Sequence, residues 1–213
     1  MGRWEPNARG RLERAAMELY TERGFEQTTV AEIAKRAEVT ERTFFRHFAD
    51  KREVLFSGSE SFRDLFVSAL TATPVSTAPI DAVATAVMAV GELLQERGEF
   101  SRQRQEVIAA NPALQERELI KFASLVAALA QALRLRGLTE PAASLTAEAG
   151  VAVFKVSFER WHNGSGQQDL PNHIRESFAE LKAMTAEHRA AEPARVAGSG
   201  GSVAGAGRSV PRR

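Results

Sequence analysis

The residues best equipped for chemistry lie between Thr28 and Lys51, in the run TTVAEIAKRAEVTERTFFRHFADK. Arg42 falls in the first turn of a short helical pattern. There a guanidinium can grip guanine O6 and N7 through two hydrogen bonds and discriminate bases by about 1–3 kcal/mol. Thr43 and Arg46 share that outward face with Thr40 at its start, and Phe45 and His47 border it. Thr28 and Thr29 open the preceding pattern, where hydroxyls and free backbone N–H groups suit a phosphate. Lys51 opens the following one and offers a cation from the other side. Arg42 and Thr43 are thus the candidates to read bases, and Thr28, Thr29, His47 and Lys51 the candidates to hold phosphates. By periodicity alone, the stretch also fits an ordinary three-helix packing unit with a solvated polar face.

Other chemistries find less support. The chain has no cysteine, which excludes disulfides, thiolate metal sites and cysteine nucleophiles. His47, His162, His173 and His188 are scattered, and none shares metal-ligand spacing with carboxylates. Gly164-Ser165-Gly166 lacks the strand-to-helix setting of a nucleophile elbow. The expectation is a protein that is not an enzyme and holds neither metal nor cofactor.

Charge is nearly balanced overall, at +1, but unevenly spread. Residues 1–56 hold eleven basic and ten acidic side chains, 57–187 twelve and sixteen, and 188–213 five and one. DNA phosphates would be repelled by the middle and attracted by the ends. The first residues, MGRWEPNARGRLERAA, form no apolar signal core, and no apolar run approaches a membrane span. A cytoplasmic location without a membrane partner is therefore expected.

The elements that must position the candidate residues are helical. Leu12, Ala15, Ala16, Leu19 and Tyr20 make one stripe on a helix over 11–23, closed by Gly24, with Phe25 folding back. Thr29-x-x-Glu32 is a capping box, opening a helix with Val30, Ile33, Ala34 and Ala37 inward. Thr40 caps the next helix, anchored by Phe44 and Phe48. Asp50 caps a fourth, in which Val54, Leu55, Phe62, Leu65, Phe66 and Leu70 recur at helical spacing. After a Thr/Ser/Pro-rich break at 71–79, helical patterns return over 80–97, 100–110, 112–136, 140–161 and 171–188. No segment alternates with period two, so the fold class is all-α. Residues 189–213, rich in Ala, Gly, Ser, Pro and Arg, have almost nothing to bury and are expected to form a disordered basic tail.

The run from Arg11 to Leu55 closely resembles the DNA-binding domain of the tetracycline-repressor (TetR-type) family of bacterial transcription regulators. The resemblance rests on Ala15, Leu19, Gly24 and Phe25; on Thr28, Thr29, Ile33, Ala34 and Ala37; and on Val39, Thr40, Thr43, Phe44, Phe45, His47, Phe48, Lys51 and Leu55. Two positions depart from the family pattern. Phe45 stands where the family most often has a tyrosine whose hydroxyl reaches a phosphate. Glu38 stands where glycine is common, at a cost of about 1 kcal/mol or more if the turn is left-handed.

The resemblance implies an N-terminal helix-turn-helix domain (1–56) and a helical effector-binding and dimerisation domain (57–188), followed by the tail. It implies a homodimer on an inverted-repeat operator of double-stranded DNA, with repression as the family's commoner mode. The helices over 140–161 and 171–188 would form the dimer interface through Leu145, Ala149, Ala152, Val153, Val156 and Trp161, with Ile174, Phe178, Leu181 and Met184. The same residues also fit an intramolecular core. More narrowly, 98–161, with Asn111-Pro112-Ala113-Leu114 and Phe158-Glu159-Arg160-Trp161, resembles the C-terminal domain of mycofactocin-system-type regulators. That subgroup is associated with acyl-CoA-like effectors. A pocket for such a small molecule would be lined by Phe62, Phe66, Met88, Val107, Ile108, Phe122, Leu125, Leu129, Phe154 and Phe158, with Arg104 meeting an anion. A different class stays open beside this one: a sequence-independent DNA-coating protein that uses the basic termini.

Overall fold

The computed structural model of the chain describes residues 7–164 and 168–190. The expected tail lies almost wholly outside the described residues. Those described form ten helices and no strand.

α1 (Ala8–Arg23) begins earlier than its apolar stripe requires, because the Asn7 side chain accepts a hydrogen bond from the Gly10 N–H at 3.0 Å. Leu12, Ala15, Ala16, Leu19 and Tyr20 are buried, as their spacing predicts. α2 (Val30–Arg36) opens on the capping box: the Thr29 hydroxyl accepts from the Glu32 N–H while the Glu32 carboxylate accepts from the Thr29 N–H. α3 (Glu41–His47) is capped by Thr40 and pinned by Phe44 and Phe48, whose ring centroids lie 5.5 Å apart. Between them Glu38 has φ +54°, the left-handed conformation that the turn requires.

The fourth expected helix is two helices. α4 (Lys51–Leu55) is capped by Asp50, and α5 (Ser59–Ala72) starts only after Gly58. Apolar spacing runs on through this break, so periodicity does not reveal it. Three carbonyls that a continuous helix would bond internally have other donors. Leu55 O accepts from Arg104 Nε at 2.8 Å, Phe56 O from the Ser59 N–H at 2.9 Å, and Ser57 O from the Arg9 guanidinium at 2.5 Å.

The remaining helices are α6 (Pro79–Glu96), α7 (Gly98–Ala109), α8 (Pro112–Leu135), α9 (Ala142–Asn163) and α10 (Leu170–Ala190), close to the expected spans. α5, α6, α8, α9 and α10 enclose a second core containing Phe66, Val83, Val87, Leu129, Leu133, Phe154 and Trp161. Two glycines let its helices approach. A Cβ on Gly91 would meet Ile174 at 2.4 Å, and one on Gly150 would meet Val83 at 2.2 Å, closer than real Cβ atoms come. α7 does not belong to this core. Its Val107 and Ile108, with Leu114 of α8, are buried among Leu12, Leu19, Ile33 and Phe44 in the first core.

The two C-terminal helices divide their apolar residues between inside and outside. Val153, Trp161, Ile174 and Phe178 are buried within the chain, so those four are core rather than free interface. The reason is that α9 and α10 pack on each other and on α6. Leu145, Val156 and Met184 are exposed, at 66%, 52% and 65%.

Candidate nucleic-acid interface and effector core

α3 carries its polar residues as the sequence predicts. Phe44 is fully buried, whereas Glu41, Arg42, Phe45, Arg46 and His47 are exposed and Thr43 is half-buried. Neither Arg42 nor Arg46 has a hydrogen-bond or ion-pair partner among the described residues. Neighbouring guanidiniums are committed: Arg23 pairs with Glu32, Arg36 with Glu18 and Glu22, and Arg52 with Asp50. Two unpaired cations against the single carboxylate of Glu41 leave this short, exposed helix with a surface that suits an anion. Phe45 lies between them, 55% exposed, its ring set edge-on against Phe44 at 5.5 Å.

The threonines split by task. Thr29 is exposed at the start of α2, with its hydroxyl 2.8 Å from Glu32 Oε2. The Thr40 hydroxyl accepts from the Thr43 N–H at 3.2 Å and lies 3.1 Å from the Thr43 hydroxyl. Thr28, in contrast, is buried and donates its hydroxyl to Gly24 O at 2.9 Å. It ties α2 to the end of α1 and presents nothing to a phosphate.

Lys51 also departs from expectation. Its ammonium donates to the carbonyls of Phe25, Glu26 and Thr28 at 2.9, 3.2 and 3.0 Å. An ammonium has three protons, so these bonds use them all. The residue staples α4 to the loop after α1. Tyr20 reinforces the joint, donating its hydroxyl to Lys51 O at 2.6 Å. Burial, with Asp50 nearby, raises the Tyr20 pKa well above its ordinary value, so the phenol stays protonated.

In the C-terminal core the expected pocket residues gather in part. Phe62, Phe66, Phe122, Phe154, Phe158 and Trp161 form a continuous aromatic array with centroids 5.0–6.2 Å apart. Met88 and Leu125 pack in the same cluster. Arg104, Val107 and Ile108 do not join it. The two apolar residues face the first core, and Arg104 bonds Leu55 O, lies 5.1 Å from the Phe56 ring and pairs with Glu118 at 3.4 Å. Burial lowers the Arg104 pKa and Glu118 works against that; the guanidinium keeps its charge. The cations beside the aromatic array are instead Arg102, 4.4 Å from the Trp161 ring, and Lys155, 5.6 Å from the Phe122 centroid.

Sequence reasoning missed Glu53, which accepts from Arg117 Nε at 2.7 Å and lies 3.6 Å from Lys121 Nζ. It also missed that Arg9, a residue of the basic N-terminal arm, bonds Ser57 O. Both act across more than forty residues, and no local pattern marks such pairs.

A capped three-helix unit that presents unpaired arginines on its third helix, carried on a larger helical body, defines a helix-turn-helix transcription regulator. Residues 13–57 match the family model for bacterial regulatory proteins of the tetR family, and 77–186 match the model for the MftR C-terminal domain. Over 154 residues the chain is 33% identical to the HTH-type transcriptional regulator TcmR of Streptomyces glaucescens, a match covering 70% of this chain and 68% of that protein. It belongs to the TetR family of DNA-binding transcription regulators. Among solved structures, FadR from Bacillus subtilis in complex with stearoyl-CoA is similar, with a TM-score of 0.59 at 18% identity, covering 81% of this chain and 96% of that one. SmeT, the repressor of the Stenotrophomonas maltophilia multidrug efflux pump SmeDEF, has a TM-score of 0.58 at 22% identity, with 83% and 89% covered. Those two likenesses are of fold. No described helix is long and apolar enough to cross a membrane.

Proposed function

We propose that this regulator is a homodimeric repressor that reads an inverted-repeat operator and is released by a small acyl-CoA-like effector. Residues 1–56 read DNA, 57–188 sense the effector and dimerise, and 189–213 add non-specific DNA affinity. The carrying observation is the pair of unpartnered guanidiniums, Arg42 and Arg46, on an exposed face of α3. Arg42 and Thr43 face base edges, Thr29 and His47 meet phosphates, and Phe45 packs on sugar or a thymine methyl group. One α3 spans too few base pairs for useful specificity, and a two-fold dimer sets two copies about one DNA turn apart.

The effector reading is supported by the aromatic array and by the company the chain keeps. FadR of Bacillus subtilis is complexed with stearoyl-CoA, and FadR of Thermus thermophilus, a TetR family repressor, with lauroyl-CoA. Phe62, Phe66, Met88, Phe122, Leu125, Phe154 and Phe158 would open around an acyl chain, with Lys155 at hand for its phosphates. Effector binding releases DNA in proportion to its preference for the conformer with misplaced α3 helices.

Selection of bound duplexes from random DNA tests the reading. An enriched inverted repeat supports it, and binding without any enriched motif supports a DNA-coating protein instead. Titrating lauroyl-CoA or stearoyl-CoA into the protein–operator complex then tests release. By linkage, the operator must weaken acyl-CoA binding by the same factor.

A further inference from the structure

The break between α4 and α5 is held open from outside. A continuous helix would send the amides of Ser59, Glu60 and Ser61 to the carbonyls of Leu55, Phe56 and Ser57. Here the Leu55 and Ser57 carbonyls belong to arginines of α7 and α1, and Ser59 bonds Phe56 O one residue short of helical register. The sequence does not force the break strongly. Apolar spacing continues across it, Ser57-Gly58-Ser59 holds no proline, and Gly58 has φ −90° with open space around its α-carbon. A continuous helix over 51–72 would aim the helix-turn-helix unit differently from the broken one seen here.

From this geometry we infer that Arg104 is a positioning residue for DNA recognition. By capping Leu55 O and covering Phe56, it selects the broken form and so sets the angle of α3. Its partner Glu118 sits one helical turn before Phe122 on α8, and Arg117 and Lys121 beside it grip Glu53 of α4. A shift of α8 at the aromatic array thus moves Glu118, the partner of Arg104, together with the two cations that hold Glu53 of α4. This last step rests on the proposed effector reading; the role of Arg104 does not.

Two variants of the full-length protein test the inference. Arg104→Met keeps an apolar stem on Phe56 but cannot cap Leu55 O. Gly58→Ala leaves Arg104 intact and favours the continuous helix by propensity. Each is titrated with the selected duplex and with a scrambled duplex of equal length, and amide hydrogen exchange is followed at Glu60 and Ser61. Arg104→Met should lose about tenfold in affinity for the selected duplex, within the usual range of coupling between sites. Its affinity for the scrambled duplex should change less than about twofold, within the small effects expected of a site that meets no DNA. Both amides should gain protection, and Gly58→Ala should shift both readouts the same way by a smaller amount. Unchanged exchange at these amides in both variants, or parallel losses on both duplexes, would overturn the inference. If Arg104→Met does not fold, Arg104→Gln, which keeps a polar but shorter and uncharged side chain, is read in the same two ways. If no operator is selected, the exchange readout still stands and the failure belongs to the operator reading.

Discussion

Lys51 Nζ donates to the carbonyl of Phe25 at 2.9 Å while lying 4.4 Å from the centroid of that residue's own ring. One side chain thus binds both the backbone and the face of the loop between α1 and α2, and it locks α4 beside them. Lys51→Met keeps the stem and removes the charge. It should destabilise the protein by about 2–3 kcal/mol, the scale of several charge-assisted bonds lost together. The salt dependence of DNA binding should hardly change, because no phosphate contact is removed. Denaturant unfolding and binding at several salt concentrations check both halves. Full stability with a slope reduced by about one unit would make Lys51 a phosphate ligand after all.

Lys51 and Thr28 show where sequence reading stops. The capping box of Thr29 and Glu32, the Thr40 cap and the stripe from Leu12 to Tyr20 are local patterns, and the structure contains each of them. What Lys51 bonds depends on where the loop at 25–28 lies in space, and the residue type alone fits a carbonyl cage as well as a phosphate. The sequence offers Arg104 as an anion contact of the pocket and not as the cap of a helix break, since its partner is forty-nine residues away. The break itself is invisible to periodicity because apolar residues line both of its sides. Trp161 and Phe178 illustrate the same limit: helical spacing marks an apolar face without saying whether it meets this chain or another.

Glu38 holds φ +54° in the turn that separates α2 from α3. A side chain there crowds the backbone, and glycine does not. Glu38→Gly should therefore stabilise the folded state by up to about 1 kcal/mol, net of the extra freedom glycine gains when unfolded. Urea unfolding at constant slope is the measure. A loss of stability would mean that the turn relies on the Glu38 side chain.

The Thr29 amide, and then its hydroxyl, hold the Glu32 carboxyl below the ordinary carboxylate range against the opposing effect of burial, and Arg23 assists least. A carboxyl depressed in the folded state contributes stability above its unfolded pKa and loses it as pH falls through the folded one. The capping box should thus weaken below about pH 4. Glu32→Gln retains an acceptor for the Thr29 N–H and does not titrate. Stability measured from about pH 6 to pH 3 should fall less steeply in this variant than in the parent. Identical slopes would show that other carboxylates carry the acid sensitivity.

Arg42 and Arg46 are both unpaired, but they need not act alike. Arg42, in the first turn of α3, is the base reader of the proposal. Arg42→Ala should cost about 1–3 kcal/mol on the selected operator and far less on scrambled DNA. Base preference should relax at one position of each half-site. Repeating the selection with the variant locates that position. Equal losses on both duplexes would assign Arg42 to the phosphate backbone.

Leu145 and Val156 of α9 and Met184 of α10 stay exposed, whereas Val153, Trp161, Ile174 and Phe178 of the same helices are buried. Three large exposed apolar side chains on these two helices are a surface that a partner would cover, and in the proposed function that partner is a second copy. Val156→Asp places a charge on that face without touching the core, so the thermal midpoint of the isolated subunit should barely move. Sedimentation at micromolar concentration should show a monomer in place of a dimer. Operator affinity should then fall about a hundredfold or more, because the second half-site no longer benefits from being linked to the first. A variant that stays dimeric would move the interface elsewhere. A monomer that keeps full operator affinity would instead show that one copy of α3 is sufficient for recognition.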